Sequence, residues 1–213
     1  MQPRIKICGL TRRSDADAAA AAGAWALGAV FAPESPRRVG AEEAAAIFRD
    51  APPGVMRVGV FVNASLGEMS AAASASGLTA LQLHGEETAA FCREVKEATG
   101  LIIIKALRVS GPGSLEGVVQ FDTDFLLLDT YHPGRRGGTG ESFDWSLAAG
   151  LPEAFRGGRL ILAGGLGPGN IAQAHRQVSP FALDVSSGIE SAPGIKDKAS
   201  LERLFEQVKN LDK

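Results

Sequence analysis

Two side chains able to move protons near neutral pH stand at the ends of short apolar runs. Cys8 follows Ile5-Lys6-Ile7 and precedes Gly9, and Asp129 closes Leu126-Leu127-Leu128. A carboxyl at the rim of an apolar element loses solvation when charged, so its pKa is expected to rise, which suits a general acid. The same aspartate could cap a helix or pair with a cation. A cysteine on a strand is often inert packing. Near helix N-termini or basic neighbours it instead becomes a thiolate that can accept a proton. Taken alone, the residues leave both readings of each position open. Cys92, within Ala89-Ala90-Phe91-Cys92, reads as core.

Anion chemistry is written more strongly. Ala163-Gly164-Gly165-Leu166 and Asp184-Val185-Ser186-Ser187-Gly188 each end an apolar run. Glycine lets backbone N–H groups approach an anion closely, and serine adds a hydroxyl donor. Either segment alone could be a tight turn, but the two on consecutive runs point to a phosphate. A third glycine-rich segment, 134–140, carries Arg135 and Arg136. It is read as a mobile cover over a site or as a pair of solvated cations.

These groups must be positioned by the elements that precede them, and those elements alternate. Strands are predicted at Arg4–Gly9, Ala26–Phe31, Arg57–Val62, Ala80–His84, Ile102–Leu107, Phe125–Asp129, Arg159–Ala163 and Ala182–Ser186. Helices are predicted between and after them at Ser14–Ala22, Ala41–Arg49, Leu66–Ser76, Glu86–Ala98, Ser114–Val119, Asp144–Ala149, Asn170–Val178 and Ser200–Leu211. Ser14 is the candidate N-cap of the first. Strand–helix alternation argues for parallel βαβ units, and nearly continuous apolar strands argue for burial on both faces. Eight such units in 213 residues fit an α/β fold, a single (β/α)₈ barrel forming one domain over 1–213. An open doubly wound sheet would want a dinucleotide fingerprint after the first strand, and Cys8-Gly9-Leu10-Thr11 is none.

In such a barrel the strand C-termini share one mouth. The residues expected there are Cys8, the 33–38 loop, Asn63, Gln82, His84, Lys105, Arg108, Asp129, Gly164, Gly165, Ser186, Ser187 and Gly188.

The bulk composition narrows the partners. Basic and acidic residues number 22 and 24, net charge −2, with no basic block of the kind nucleic acid requires. No apolar run is long enough for a membrane span and no signal-peptide pattern is present, so a cytoplasmic location is expected. Two cysteines and three histidines offer no metal-ligand pattern.

Lys6-Ile7-Cys8-Gly9, Gln82-Leu83-His84-Gly85, Leu128-Asp129, Gly137-Gly138-Thr139-Gly140 with Phe143-Asp144-Trp145, Gly164-Gly165-Leu166 and Asp184-Val185-Ser186-Ser187-Gly188-Ile189-Glu190 occur in one order. In this the chain strongly resembles the phosphoribosylanthranilate isomerase family over essentially its whole length. The resemblance implies an aldose–ketose isomerase of tryptophan biosynthesis that uses no metal or other cofactor. Its reaction is an Amadori rearrangement of N-(5-phosphoribosyl)anthranilate to 1-(2-carboxyphenylamino)-1-deoxyribulose 5-phosphate. It further implies Cys8 as general base, Asp129 as general acid and Arg37 as a substrate-binding arginine, with Arg38 beside it as the alternative. Arg37 could pair with the anthranilate carboxylate. Gln82 and His84 are expected in the substrate-binding wall, and Asp184 to contact the substrate amino group or orient Cys8. Gly164, Gly165, Ser186, Ser187 and Gly188 are expected at the phosphate. A related histidine-pathway isomerase would carry an aspartate where Cys8 stands, and nothing points to the ring site of a flavin oxidoreductase. A barrel that binds sugar phosphate without catalysis would be expected to have lost Cys8 or Asp129. The partner is a small-molecule substrate; monomer and homodimer are both compatible with the sequence.

Overall fold

Alternate residues of each strand meet different surroundings, and this fixes the architecture. In the computed structural model, residues 3–130, 144–151, 155 and 158–211 are described. The expected segment 134–140 lies outside them. Eight parallel strands pair in chain order: β1 (Arg4–Ile7), β2 (Ala26–Val30), β3 (Met56–Phe61), β4 (Ala80–Leu83), β5 (Ile102–Val109), β6 (Phe125–Thr130), β7 (Leu160–Leu162) and β8 (Ala182–Val185). β8 pairs back onto β1, with Asp184 beside Lys6, and closes the barrel. The (β/α)₈ expectation holds.

One set of alternating positions, including Ala26, Val58, Ala80, Ile104, Leu127, Ile161 and Ala182, fills the barrel interior. At the N-terminal strand ends Trp25, Phe125 and Phe181 pack against one another with ring centroids 5.0–5.5 Å apart, and the Arg4 guanidinium lies over Phe181. The opposite set, including Ile5, Ile7, Leu81, Ile103, Leu126, Leu160 and Leu183, packs under the outer layer. Among the described residues that layer includes α1 (Arg13–Ala22), α2 (Ala41–Phe48), α3 (Leu66–Ser76), α4 (Ala89–Thr99), α5 (Ile171–Val178) and α6 (Lys198–Lys209). Among the described residues no helix is long and apolar enough to cross a membrane.

Four helix expectations need correction. After β5 the chain makes two short 3₁₀ turns, Pro112–Leu115 and Val118–Gln120, in place of a helix. Gly111, Gly113 and Gly117 in this stretch deny a longer helix its propensity. After β6, Trp145–Gly150 is also 3₁₀, capped by the Asp144 carboxylate. α1 starts one residue before Ser14, and its N-cap is Arg12, whose guanidinium holds Asp15 instead of capping. α4 begins after Thr88, which caps it, because Glu87 is bent back into the loop.

Candidate active site

Continuing each inward-facing set one step past the packed interior reaches a cavity at the C-terminal strand ends. It is lined by Cys8, Val30, Ala32, Glu34, Ser35, Arg37, Val60, Val62, Gln82, His84, Arg108, Asp129, Ala163, Gly164, Gly165, Leu166, Asp184, Ser186 and Ser187. Of the eleven residues the resemblance assigned to a site, only Gly188 is missing from this lining. A Cβ on Gly188 would run into the Leu166 carbonyl, so the glycine lets the turn after β8 lie flat on the loop after β7. Asn170 braces that loop, accepting from Gly167 N and donating to the Gly165 carbonyl, each at 2.9 Å. Between the two arginines, Arg37 lines the cavity and Arg38 is an exposed residue whose backbone bridges to Val30.

The β8–β1 side is built from buried charge. Lys6 is two residues before Cys8, hence on the same strand face, and is fully buried. Its Nζ donates to Asp184 Oδ2 at 2.8 Å. Asp184 Oδ1 is buried with no partner among the described residues. Burial pushes the Cys8 thiol above its usual range, the neighbouring Lys6 charge pulls it down, and Asp184 adds to the rise. Of these influences burial is the strongest.

Beside this wall, Arg37 does not present an empty fork. Its Nε donates to Glu190 at 2.9 and 3.1 Å and its Nη2 to Glu190 Oε2 at 2.6 Å. Glu190 also accepts from Lys196 Nζ at 2.8 Å. Burial would raise the Glu190 carboxyl, but Arg37 and Lys196 overcome it and hold it below the ordinary range. A ligand carboxylate must therefore meet the guanidinium on the edge that Glu190 leaves. Gly9, at φ +72°, runs directly under the Arg37 side chain, and a Cβ there would stand 2.5 Å from Arg37 Cδ.

Sequence reasoning passed over Lys6, Glu190 and Lys196 as site residues. Lys6 was findable from its phase with Cys8. Glu190 and Lys196 sit on a small hairpin, β9 (Glu190–Ala192) with β10 (Ile195–Lys196), signalled by Pro193-Gly194.

The β4–β6 side is a hydrogen-bonded chain. The Gln82 amide nitrogen donates to His84 Nδ1 at 2.9 Å, which leaves the ring proton on Nε2, 3.2 Å from Asp129 Oδ2. Asp129 and His84 are each less than one-fifth exposed. Arg108 Nη2 donates to the His84 carbonyl at 3.3 Å.

Two expected strand-end residues fall elsewhere. Lys105 is out of phase with Arg108 and faces the outer layer, where Nζ donates to Glu87 at 2.7 Å and to the Gly85 carbonyl at 2.7 Å. Glu87 in turn accepts from the backbone of Asn63 and Gly85. The pair thus fixes the loop that follows His84. Asn63, at φ 51°, accepts from Glu86 N and belongs to the same brace.

Comparison with known proteins places this geometry. Residues 5–207 match the family described as N-(5'-phosphoribosyl)anthranilate (PRA) isomerase. The chain is 47% identical over 209 residues to N-(5'-phosphoribosyl)anthranilate isomerase of Geobacter sp. strain M21, covering 98% of each protein. It is similar to the crystal structure of phosphoribosyl anthranilate isomerase from Thermotoga maritima, with TM-score 0.89, 42% identity, and 97% and 98% of the two chains covered. A structure of such an isomerase in complex with reduced 1-(o-carboxyphenylamino)-1-deoxyribulose 5-phosphate superposes with TM-score 0.86 at 40% identity, again covering 97% and 98%.

Proposed function

The chain belongs to the N-(5'-phosphoribosyl)anthranilate isomerase family, and from that premise we propose how its own residues carry the reaction. The chain is an aldose–ketose isomerase of tryptophan biosynthesis; it converts N-(5-phosphoribosyl)anthranilate to 1-(2-carboxyphenylamino)-1-deoxyribulose 5-phosphate. The observation that carries the residue assignment is that Cys8 and Asp129 line one cavity from strands three positions apart around the barrel.

Asp129 donates a proton to the ribose ring oxygen; the C1′–O bond breaks and a protonated Schiff base forms between C1′ and the anthranilate nitrogen. That cation acidifies the C2′ hydrogen. Cys8, as thiolate, takes the C2′ proton, and the electron pair moves to form an enolamine. Loss of the 2′-hydroxyl proton and protonation at C1′ complete the ketone. Each proton-transfer group contributes about 10²–10⁴ in rate.

Gly164, Gly165, Ser186 and Ser187 hold the 5′-phosphate, with Gly188 letting the two turns close together. This anchors the sugar between acid and base, an orientation effect. Arg37 meets the anthranilate carboxylate on its free edge, with Glu190 fixing the guanidinium plane. His84 and Gln82 orient Asp129. Residues 1–213 act as one catalytic domain, located in the cytoplasm.

The test is a fluorescence assay of the purified chain on freshly made phosphoribosylanthranilate. Turnover of that substrate, with slower or no turnover of the histidine-pathway aminoaldose, is expected. No consumption of phosphoribosylanthranilate would overturn the proposal.

A further inference from the structure

The sulfur that the reaction needs as a base lies in a place that burial alone would keep protonated. What surrounds it is the informative part. Lys6 Nζ and Cys8 Sγ both border the gap left by Gly28, at 3.3 and 2.9 Å from where a Cβ would stand. Gly28 thus leaves room for an ammonium beside the sulfur. Four charged groups act on Cys8: Lys6 from β1, Asp184 from β8, Lys196 from β10 and Arg37 from the loop after β2. Lys196 and Arg37 are both tied to Glu190. Lys6 is tied to Asp184 through Oδ2 only, while Asp184 Oδ1 is buried without a partner among the described residues and Asp184 lines the cavity. Counting these five groups, three cations face two carboxylates, and a thiolate at Cys8 balances them.

We propose that Lys6 is a positioning residue for the proton abstraction, its ammonium shared between Asp184 and Cys8, and that a substrate N–H at Asp184 Oδ1 loosens Asp184 from Lys6 and frees that charge for the thiolate. This rests on the reading of Cys8 as the base. The arrangement couples the base to the ligand. With the cavity empty, burial raises the thiol, Lys6 is divided between Asp184 and the sulfur, and the Asp184 charge adds to the rise. A bound amine gives Asp184 a second donor, and the same ammonium then serves the sulfur. The thiol proton passes to water at the cavity, which Cys8 lines, as the amine binds, and no proton leaves Lys6.

The experiment is a direct titration of the Cys8 thiolate by its ultraviolet absorbance, in a Cys92→Ala background that leaves one thiol. Cys92 is buried in α4, away from the cavity lining, with its own pKa pushed up to about 11. In Lys6→Met the Cys8 titration is expected to move up by about 1–3 pH units, the effect of losing one close opposite charge. The rising limb of the kcat–pH profile should move with it while KM stays near its starting value. A merely structural role would lower kcat at every pH without moving that limb. Should Lys6→Met fail to fold with Asp184 left uncompensated, Lys6→Met/Asp184→Asn removes both charges. It is expected to shift the titration in the same direction by less.

The ligand half is read in the unmutated pair of residues. Adding the reduced carboxyphenylamino-deoxyribulose phosphate at fixed pH should raise the thiolate absorbance, and should not do so in Asp184→Asn. An unmoved titration in a folded Lys6 variant, or no rise with the analogue, overturns the proposal. The parent reading fails differently: Cys8→Ala that keeps turnover removes the base assignment whatever the titration does.

Discussion

The two sides of the mouth are built on different physics. The β8–β1 side, which carries Cys8, is a set of buried ion pairs: Lys6 with Asp184, and Arg37 and Lys196 with Glu190, all with side chains at most 11% exposed. The β4–β6 side, which carries Asp129, is a chain from amide to imidazole to carboxylate, with His84 and Asp129 at 18% and 16%. A base held as a thiolate needs fixed charge around it in a water-poor place. An acid that must be reprotonated each cycle needs a hydrogen-bonded partner and access to solvent. The contrast therefore follows from the two tasks, and it is what mutation should expose.

The largest effect is expected at the two reacting groups. Cys8→Ala and Asp129→Asn should each lower kcat by about 10²–10⁴-fold while leaving the circular dichroism spectrum unchanged. A near-normal Asp129→Asn would remove the acid from that side altogether. Next comes Arg37→Ala. A hydrogen bond to a charged group is worth about 1.5–3 kcal/mol, so KM should rise by roughly 10–150-fold with a smaller change in kcat. An unchanged KM would show that the carboxylate binds elsewhere.

The buried pairs also predict a pH dependence of stability. The folded pKa values of Glu190 and Glu87 are depressed below the ordinary 4.5, against the cost of burial, by Arg37 with Lys196 and by Lys105. Each carboxylate thus contributes stability that is fully present above about pH 4.5 and lost as pH falls through its folded value. Chemical denaturation between pH 7 and 3 should show this loss. In Glu190→Gln, which breaks a buried pair at a cost of about 3–5 kcal/mol, the remaining acid sensitivity should be smaller. An unaltered acid limb would contradict the ion-pair account. The smallest effect belongs to the hydrogen-bonded chain: His84→Asn should lower kcat by about 10-fold at most, the worth of one ordinary hydrogen bond. A loss as large as that of Asp129→Asn would make His84 a proton carrier in its own right.

Much of this was legible in the chain because a strand repeats every two residues. Once Ala80 faces inward, Gln82 and His84 must follow; once Leu127 does, so must Asp129. The same rule turns Lys6 into the barrel interior beside Asp184 and Lys105 to the outer layer, although both are lysines on apolar strands. The partners were not legible. Glu190 reaches Arg37 across 153 positions, and Asp184 reaches Lys6 across 178. No local pattern encodes such pairs; closure of the barrel does. The turns after β5 and β6 pass for helices in the sequence because six residues, Ser114–Val119 or Asp144–Ala149, cannot distinguish a 3₁₀ turn from the start of an α-helix.

The most direct measurement is a crystal structure of this chain with the reduced carboxyphenylamino-deoxyribulose phosphate bound. It should place Cys8 Sγ about 3–3.5 Å from C2 of the sugar chain, with the Asp129 carboxyl hydrogen-bonded to the C4 oxygen from the other side and the phosphate at the turns after β7 and β8. A ligand with its phosphate elsewhere, or with sulfur and carboxyl on one face of the sugar, would contradict the account.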